Sequence, residues 1–514
     1  MKRVKRVLAL LAAFALVLAM AVPAFADKAN LYTISAPAGS NHTYQVYQIF
    51  TGDYSNGKLS NVKWGQNSKN HEGTNASAAV DSTVLATIAG LGGKTDAEIW
   101  KDIEQYVDFG TAPVAEVTST TPASVPAGYY VIKDKDGSQD GKQDAYTNYI
   151  VQVAGNVKIT PKSSIPTVKK EVKDINDSTE TDLGEWQKDA DHDFNDQVLF
   201  RLTGTLPENY ATYTSYEYIF HDTMSKGLTF DPASVEIYHG DEKTGTKIDA
   251  NNYTVSNQSG TDGKTEITIK FADLKTAVSA TSDDKITVVY EATLNEQSVI
   301  GSEGNPNKVY LEFSNNPNGN GTGKTPEDTV TVFTYKVAAN KVDGDGKKLA
   351  GAGFKLSKFD KESDSWKLVG YQNVKLDAAS GDPVKTDGHY EVASATDTSF
   401  AWNRIDDGKY KLEEVVTPAG YNTIDPVEFD VVAGHANLTL TSLSGTKTTG
   451  TVGEYTFASN NTEGSLTTDI VNQSGAVLPS TGGMGTTVFY VVGGGLMAVA
   501  VVLLVTKKRM ENKR

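Results

Sequence analysis

A chain of 514 residues with 48 Lys and Arg against 64 Asp and Glu carries a formal net charge of −16. Its two ends hold nine of the bases and one of the acids, so residues 27–481 keep 39 bases against 63 acids, a net charge near −24. Such a surface repels nucleic acid and anionic lipid, and a chain without cysteine has no disulfide to hold its domains together.

At the N-terminus Lys2, Arg3, Lys5 and Arg6 precede an apolar run from Val7 to Met20, and the small-residue pattern Ala24-Phe25-Ala26 follows. That is the layout of a secretory signal peptide. A run of about 14 residues is shorter than the roughly 20 that a membrane span needs. Residues 1–26 are predicted to be removed and the mature chain to begin near Asp27.

From there the pattern is β. Alternating runs such as Thr43–Ile49, Lys285–Tyr290 and Asn437–Leu440 are separated by Gly, Asn and Asp turns. One helical interlude is predicted over Thr95–Val107, where Ile99, Ile103 and Val107 recur at helical spacing. The number of short strands predicts an all-β chain of tandem immunoglobulin-like β-sandwiches. Breaks at Pro161–Pro166 and near Asp328–Phe333 divide the mature part into 27–161, 162–330 and 331–474, with 475–514 as a C-terminal unit.

Motifs for enzyme chemistry are missing or malformed, and neither cofactor nor metal is expected. There is no Gly-x-Ser-x-Gly, and the seven His residues show no zinc spacing. Gly319–Thr325 imitates a phosphate-binding loop, but Asn318 stands at its first glycine position and Pro326 follows where a helix should open. The acidic run Asp189, Asp191, Asp193 and Asp196 lacks the Gly and terminal Glu of an EF-hand loop. It reads as a solvated turn before the strand Val198-Leu199-Phe200.

The informative residues are lysines and asparagines on apolar strand faces. In Val168-Lys169-Lys170-Glu171-Val172, alternation puts Lys170 on the face of the two valines. Val309, Leu311 and Phe313 alternate inward, and Asn315 continues their face. A buried lysine either loses its proton or finds a partner. A neutral lysine beside an amide is a nucleophile facing an electrophile. A carboxylic acid kept protonated by burial would polarise the amide and move protons; Asp222, on the face of Tyr218 and Phe220, is the candidate. Lys169 rivals Lys170, and Asn316 rivals Asn315.

The third domain repeats the set with Lys341 near its start, Asn472 at its end and Glu414 between. Lys341-Val342-Asp343 with Leu349–Phe354, and Tyr410-Lys411-Leu412-Glu413-Glu414-Val415-Val416-Thr417-Pro418-Ala419-Gly420-Tyr421, resemble the opening and the Y-x-L-x-E-x-x-A-P-x-G-Y box of CnaB-type domains. Thr417 replaces the usual Ala. The resemblance implies an autocatalytic Lys–Asn isopeptide bond with the box glutamate as the acid. The middle domain, including Phe313–Pro317, resembles the isopeptide-forming (CnaA/CnaB-type) middle domain of sortase-assembled Gram-positive backbone pilins.

Two further segments carry that resemblance. Val157-Lys158-Ile159-Thr160-Pro161-Lys162 is similar to the pilin motif, with Thr160 where Tyr is usual; the likeness makes Lys162 the amine that accepts the next subunit. Leu478-Pro479-Ser480-Thr481-Gly482, the apolar run Val488–Val505 and the basic Lys507, Lys508 and Arg509 resemble an LPxTG sorting signal in order and spacing. The resemblance implies sortase cleavage between Thr481 and Gly482. It also implies as partners a pilus-specific and a housekeeping sortase, other copies of the chain, minor pilins and peptidoglycan. The expected product is the backbone subunit of a wall-attached surface pilus. A monomeric wall-anchored adhesin is the alternative; it needs Thr481 but no acceptor lysine.

Overall fold

The computed structural model describes residues 31–55, 58–69, 77–90, 94, 96–147, 150–153, 156–161, 164–179, 184–449, 455–475 and 484–511. The signal peptide, Lys162 and the pentapeptide 478–482 lie outside the described residues. Strands dominate what is described, as period-2 alternation requires.

Around residues 31–161 the spine is the strand Tyr44–Ser55. It pairs antiparallel with Lys58–Trp64, Ala115–Val117 and Gly128–Asp134, and the last of these pairs onward with Ile150–Val153. A smaller sheet orders Ala123–Pro126, Leu31–Ser35 and Val157–Lys158. The helical interlude is the helix Asp96–Ile103 followed by a 3-10 turn, Glu104–Tyr106. Ile103 and Val107 from that spacing are buried. A second helix, Ser82–Ala89, starts where the Asp81 side chain accepts from the Thr83 N–H, a standard N-cap.

The middle body is a sandwich of two large sheets. One runs in the order Trp186–Gln187, Val168–Lys173, Gln197–Thr205, Lys285–Leu294, Leu228–His239, Thr246–Lys247. The other runs Asp189–Asp191, Asp328–Phe333, Asn305–Ser314, Tyr218–Met224, Thr265–Phe271, Thr254–Ser259. Inward residues of both, among them Phe200, Tyr218, Phe220, Phe271, Tyr290 and Leu311, make one continuous core, the arrangement of aligned sandwiches.

The third body packs a sheet of Ser399–Ile405, Tyr335–Asp343, Ser465–Asn472 and Ala458–Asn460 on one of Ser365–Gln372, Gly353–Asp360, Gly408–Val416, Val427–Ala436 and Thr439–Thr449. Its first and last long strands lie side by side and parallel, with Lys341 opposite Ile470 and Asp343 opposite Asn472. The run Asn437–Leu440, read above as strand, splits. Asn437 and Leu438 have φ of 54° and 63° and form the hairpin turn, and the strand begins at Thr439. Two successive positive φ values are the signature of the turn that matches strand twist, and local alternation cannot see it.

The bodies are fastened at two joints. At the first, the loop after Asp134 bonds the end of the middle sheet: Tyr146 N–H donates to Asn315 O (2.7 Å) and Gly141 N–H to Thr322 O (2.8 Å). At the second, Gly301, with φ of +93°, lies so close to residues 462–464 that a Cβ there would sit 2.6 Å from Thr462 O. Phe194 N–H donates to Arg404 O across the same joint. The acidic run 189–196 is part of this joint, with Asp189 and Asp191 buried. The solvated-turn reading is therefore corrected: the third body covers a segment whose polarity, read alone, signals solvent.

C-terminal to these bodies, the helix Met484–Glu511 contains a 21-residue stretch, Tyr490–Met510, with mean hydropathy 1.9 and no burial against the rest of the chain. It is long and apolar enough to cross a bilayer.

Candidate cross-link sites and the wall anchor

In the middle body, Lys170 is wholly buried, because the strand Val168–Lys173 turns it inward opposite Leu202. Its Nζ contacts Asp222 Oδ2 and donates to the Tyr290 hydroxyl at 2.8 Å. The Phe200 and Tyr290 rings stand 5.3 and 5.2 Å from the ammonium. Burial pushes Lys170 down to about 8 and raises Asp222. Both shifts favour a pair that shares its proton over two full charges. Lys169, the rival, is exposed and pairs with Glu171 at 2.5 Å.

The amide beside this pair is Asn307, not Asn315. Asn307 is wholly buried, and its Nδ2 donates to the same Tyr290 hydroxyl at 2.8 Å. Tyr290 in turn donates to Asp222 Oδ2 at 2.8 Å. Asn315 lies past the far end of the Asn305–Ser314 strand, eight residues on and therefore on the order of 25 Å away along it. There its Nδ2 serves the first joint, donating to Gln139 O at 2.9 Å and Asp144 O at 3.3 Å. Asn316 is hydrogen-bonded within its own turn, to Asn320 O. Alternation correctly selects the inward face, but Asn307 and Asn315 share it. The antiparallel register decides between them: Asp222 sits opposite Val309, and Met224 opposite Asn307. Tyr290 carried no signal in the sequence beyond a place on an alternating strand.

Two oxygens of this cluster, Asp222 Oδ1 and Asn307 Oδ1, are buried with no hydrogen-bond partner among the described residues. Both would ordinarily be costly. A proton on the carboxyl group is the economical remedy, because it turns one of two acceptors into a donor.

The third body assembles its set differently. Lys341 and Asn472 are wholly buried on neighbouring parallel strands of one sheet, and Glu414 reaches them from the other. Asn472 Nδ2 donates to both Glu414 oxygens, at 2.9 and 3.0 Å. Lys341 Nζ donates to the backbone carbonyls of Ile470 (2.8 Å) and Val342 (3.2 Å). Burial lowers Lys341 to about 8 and raises Glu414. Asn472 Oδ1 has no hydrogen-bond partner among the described residues.

A covalent bond in either place needs one substitution at an amide carbon. The lysine lone pair attacks Cγ and the protonated acid must reach Oδ1, which in the third body means turning the Asn472 amide over from the orientation that points Nδ2 at Glu414. The new N–C bond then forms as Cγ–Nδ2 breaks, with a proton passing to the departing nitrogen as ammonia. Low-pKa lysine, raised acid and buried amide are the three groups this requires.

Comparison with known proteins agrees with this architecture. Residues 198–317 match the model of the Gram-positive pilin backbone subunit 2, Cna-B-like domain. Residues 335–449 match a prealbumin-like fold domain, and 470–512 the LPXTG cell wall anchor motif. The chain is thus a cell-wall-anchored surface protein built from pilin-type sandwich domains. It is 24% identical over 432 residues to the trypsin-resistant surface T6 protein of Streptococcus pyogenes serotype M6, an alignment that spans 71% of this chain and 72% of that one. In structure it is similar to the T6 backbone pilin of the same serotype, with a TM-score of 0.51 at 19% identity, covering 88% of this chain and all of the other. The major pilin SpaD of Corynebacterium diphtheriae is also similar, at 16% identity and a TM-score of 0.48, over 87% of this chain and 98% of that one. With a pilin-backbone domain, a prealbumin-like domain and an LPXTG anchor in one chain, the protein is a backbone subunit of a sortase-assembled pilus, attached to the cell wall.

Proposed function

We propose that this subunit is polymerised by linkage of Lys162 to the Thr481 carbonyl of another copy, and that it is reinforced by two internal isopeptide bonds, Lys170–Asn307 and Lys341–Asn472. The observation that carries the reading is the pair of buried lysine–acid–amide clusters, one in each body between the two linkage points. Tension entering at 162 and leaving at 481 crosses the middle and third bodies and bypasses the first. A bond between Val168–Lys173 and Asn305–Ser314, or between the first and last strands of the third body, carries that load through covalent structure in place of ladder hydrogen bonds. Asp222 and Glu414 act on the chain's own amides, once each. The protein is a structural subunit and not an enzyme.

Sortase attacks the Thr481–Gly482 bond, and a pilus-specific sortase passes the threonine to Lys162, whereas a housekeeping sortase passes it to peptidoglycan. A lysine at its ordinary pKa near 10.4 is mostly protonated at neutral pH, so the sortase supplies the base or the desolvating groove. Lys162→Arg keeps the charge and removes the usable nucleophile. Wall extracts of the native host, run in denaturant, should lose the high-mass ladder with Lys162→Arg, keep anchored monomer, and keep the ladder with Lys158→Arg. A ladder that survives Lys162→Arg overturns the acceptor; a host that forms no polymer at all supports the monomeric adhesin.

A further inference from the structure

The joint between the middle and third bodies concentrates carboxylates from both. One group of four, Asp177, Asp193, Asp196 and Asp406, already has its cation. Lys358 Nζ donates to Asp177 (3.1 Å), Asp193 (2.7 Å) and Asp406 (2.5 Å). Among the described residues no lysine or arginine bonds the neighbouring group, Asp174, Asp191 and His435, whose one basic member is His435 itself. One donor atom from each lies within 4.8 Å of the others. Asp174 and Asp191 belong to the middle body, His435 to the third.

The orphan atoms here point to a ligand. His435 Nε2 is buried without a hydrogen-bond partner, 3.6 Å from Asp191 Oδ1. That is too long for a hydrogen bond. Two donors on one tetrahedral ion at about 2.0–2.2 Å stand about 3.3–3.6 Å apart. The Tyr335 hydroxyl, on a wholly buried side chain, makes no close hydrogen bond and has Asp191 as its polar neighbour. The other oxygens of the group are held in place. Asp174 accepts from Asp191 N–H (3.2 Å) and Gln187 Nε2 (3.0 Å), and Asp191 Oδ2 accepts from Asp407 N–H (3.2 Å). The His435 ring is stacked on Phe333 at 5.4 Å. Outer contacts of this kind orient ligands around an ion.

We propose that Asp174, Asp191 and His435 form a divalent-cation site, lined by Tyr335, that pins the third body to the middle one. An imidazole beside two carboxylates selects an ion of the zinc or manganese class over calcium, which takes oxygen ligands alone. The ion neutralises both carboxylates at a joint on the load path, and its loss frees the two bodies to move about that joint.

The test uses the mature, anchor-cleaved protein, stripped with chelator and titrated with ZnCl2, MnCl2 and CaCl2 by calorimetry. One saturable zinc or manganese equivalent per chain is expected, weakened at least tenfold by His435→Gln and by Asp174→Asn and unchanged by Asp196→Asn in the neighbouring group. Proteolysis at the joint should slow when the ion is restored. Asp174 is only partly buried, so Asp174→Asn keeps the test valid if His435→Gln misfolds. Absence of saturable zinc and manganese binding, tighter binding of calcium, or unchanged affinity in Asp174→Asn would overturn the site.

Discussion

The middle and third bodies hold the same three groups in different frames. In the middle body the cluster spans the sandwich, with Lys170 on one sheet and Asp222 and Asn307 on the other. A phenol, Tyr290, touches all three. In the third body lysine and asparagine are neighbours within one sheet, and the acid crosses the core to hold the amide directly. Both bodies therefore combine a buried amine of lowered pKa, an acid of raised pKa and an amide, and differ in which sheet supplies each. On the proposed chemistry the middle-body reaction would depend on a hydroxyl that the third body does not use. The first body has neither arrangement among its described residues; it buries His42 between Asp134 (2.8 Å) and Asp144 (3.0 Å).

The largest expected effect comes from removing a cross-link. Each proposed bond would close a loop of well over 100 residues, which by analogy with disulfides would stabilise by about 5 kcal/mol. Lys341→Ala should lower the unfolding midpoint of the third body by about 10–20 °C, read by calorimetry as a shift of one transition, with the first body's transition unmoved. Equal shifts in all transitions would erase the distinction between bodies inside and outside the load path.

Next come the acids. Asp222→Ala and Glu414→Ala should each restore the mass of one ammonia, each in its own body, as located by peptide mapping. A Glu414→Ala change that altered only the middle-body peptides would break the assignment. A finer discrimination uses Tyr290→Phe, which keeps the ring and removes the bridging hydroxyl. Losing one charge-linked hydrogen bond should slow the middle-body reaction about tenfold, measured as ammonia loss over time after refolding. The third-body rate should not change.

The smallest effect is in the first body. His42 is raised to about 9 by its two aspartate partners, against the desolvation that would lower it. A pKa raised in the folded state gives stability that is complete below about 6.5 and lost as pH rises through about 9. The first body should melt at lower temperature at pH 9.5 than at pH 6, and His42→Gln should flatten that dependence.

Much of this was legible in the residues, for reasons the structure makes plain. Alternation placed Lys170 and Asp222 on inward faces because a strand has only two, whereas Lys341 was marked by its place at the domain start and by family resemblance. The Glu414 box carried a family resemblance. Asn307 was not legible: choosing between two asparagines on one face takes the register of a partner strand far away in sequence, and Asn315 proved to be a joint residue. The acidic run failed for a similar reason, because burial came from a domain some 200 residues downstream. Contacts set within a strand can be read from sequence; contacts set between bodies cannot.

Covalent closure of both clusters would leave its mark on the mass of the chain. The mature protein, weighed intact in denaturant, should be lighter than its sequence by two ammonia molecules. Protease digestion should release one branched peptide joining Lys170 to Asn307 and another joining Lys341 to Asn472. A full sequence mass would contradict the account outright, and a branched peptide joining Lys170 to Asn315 would contradict its geometry.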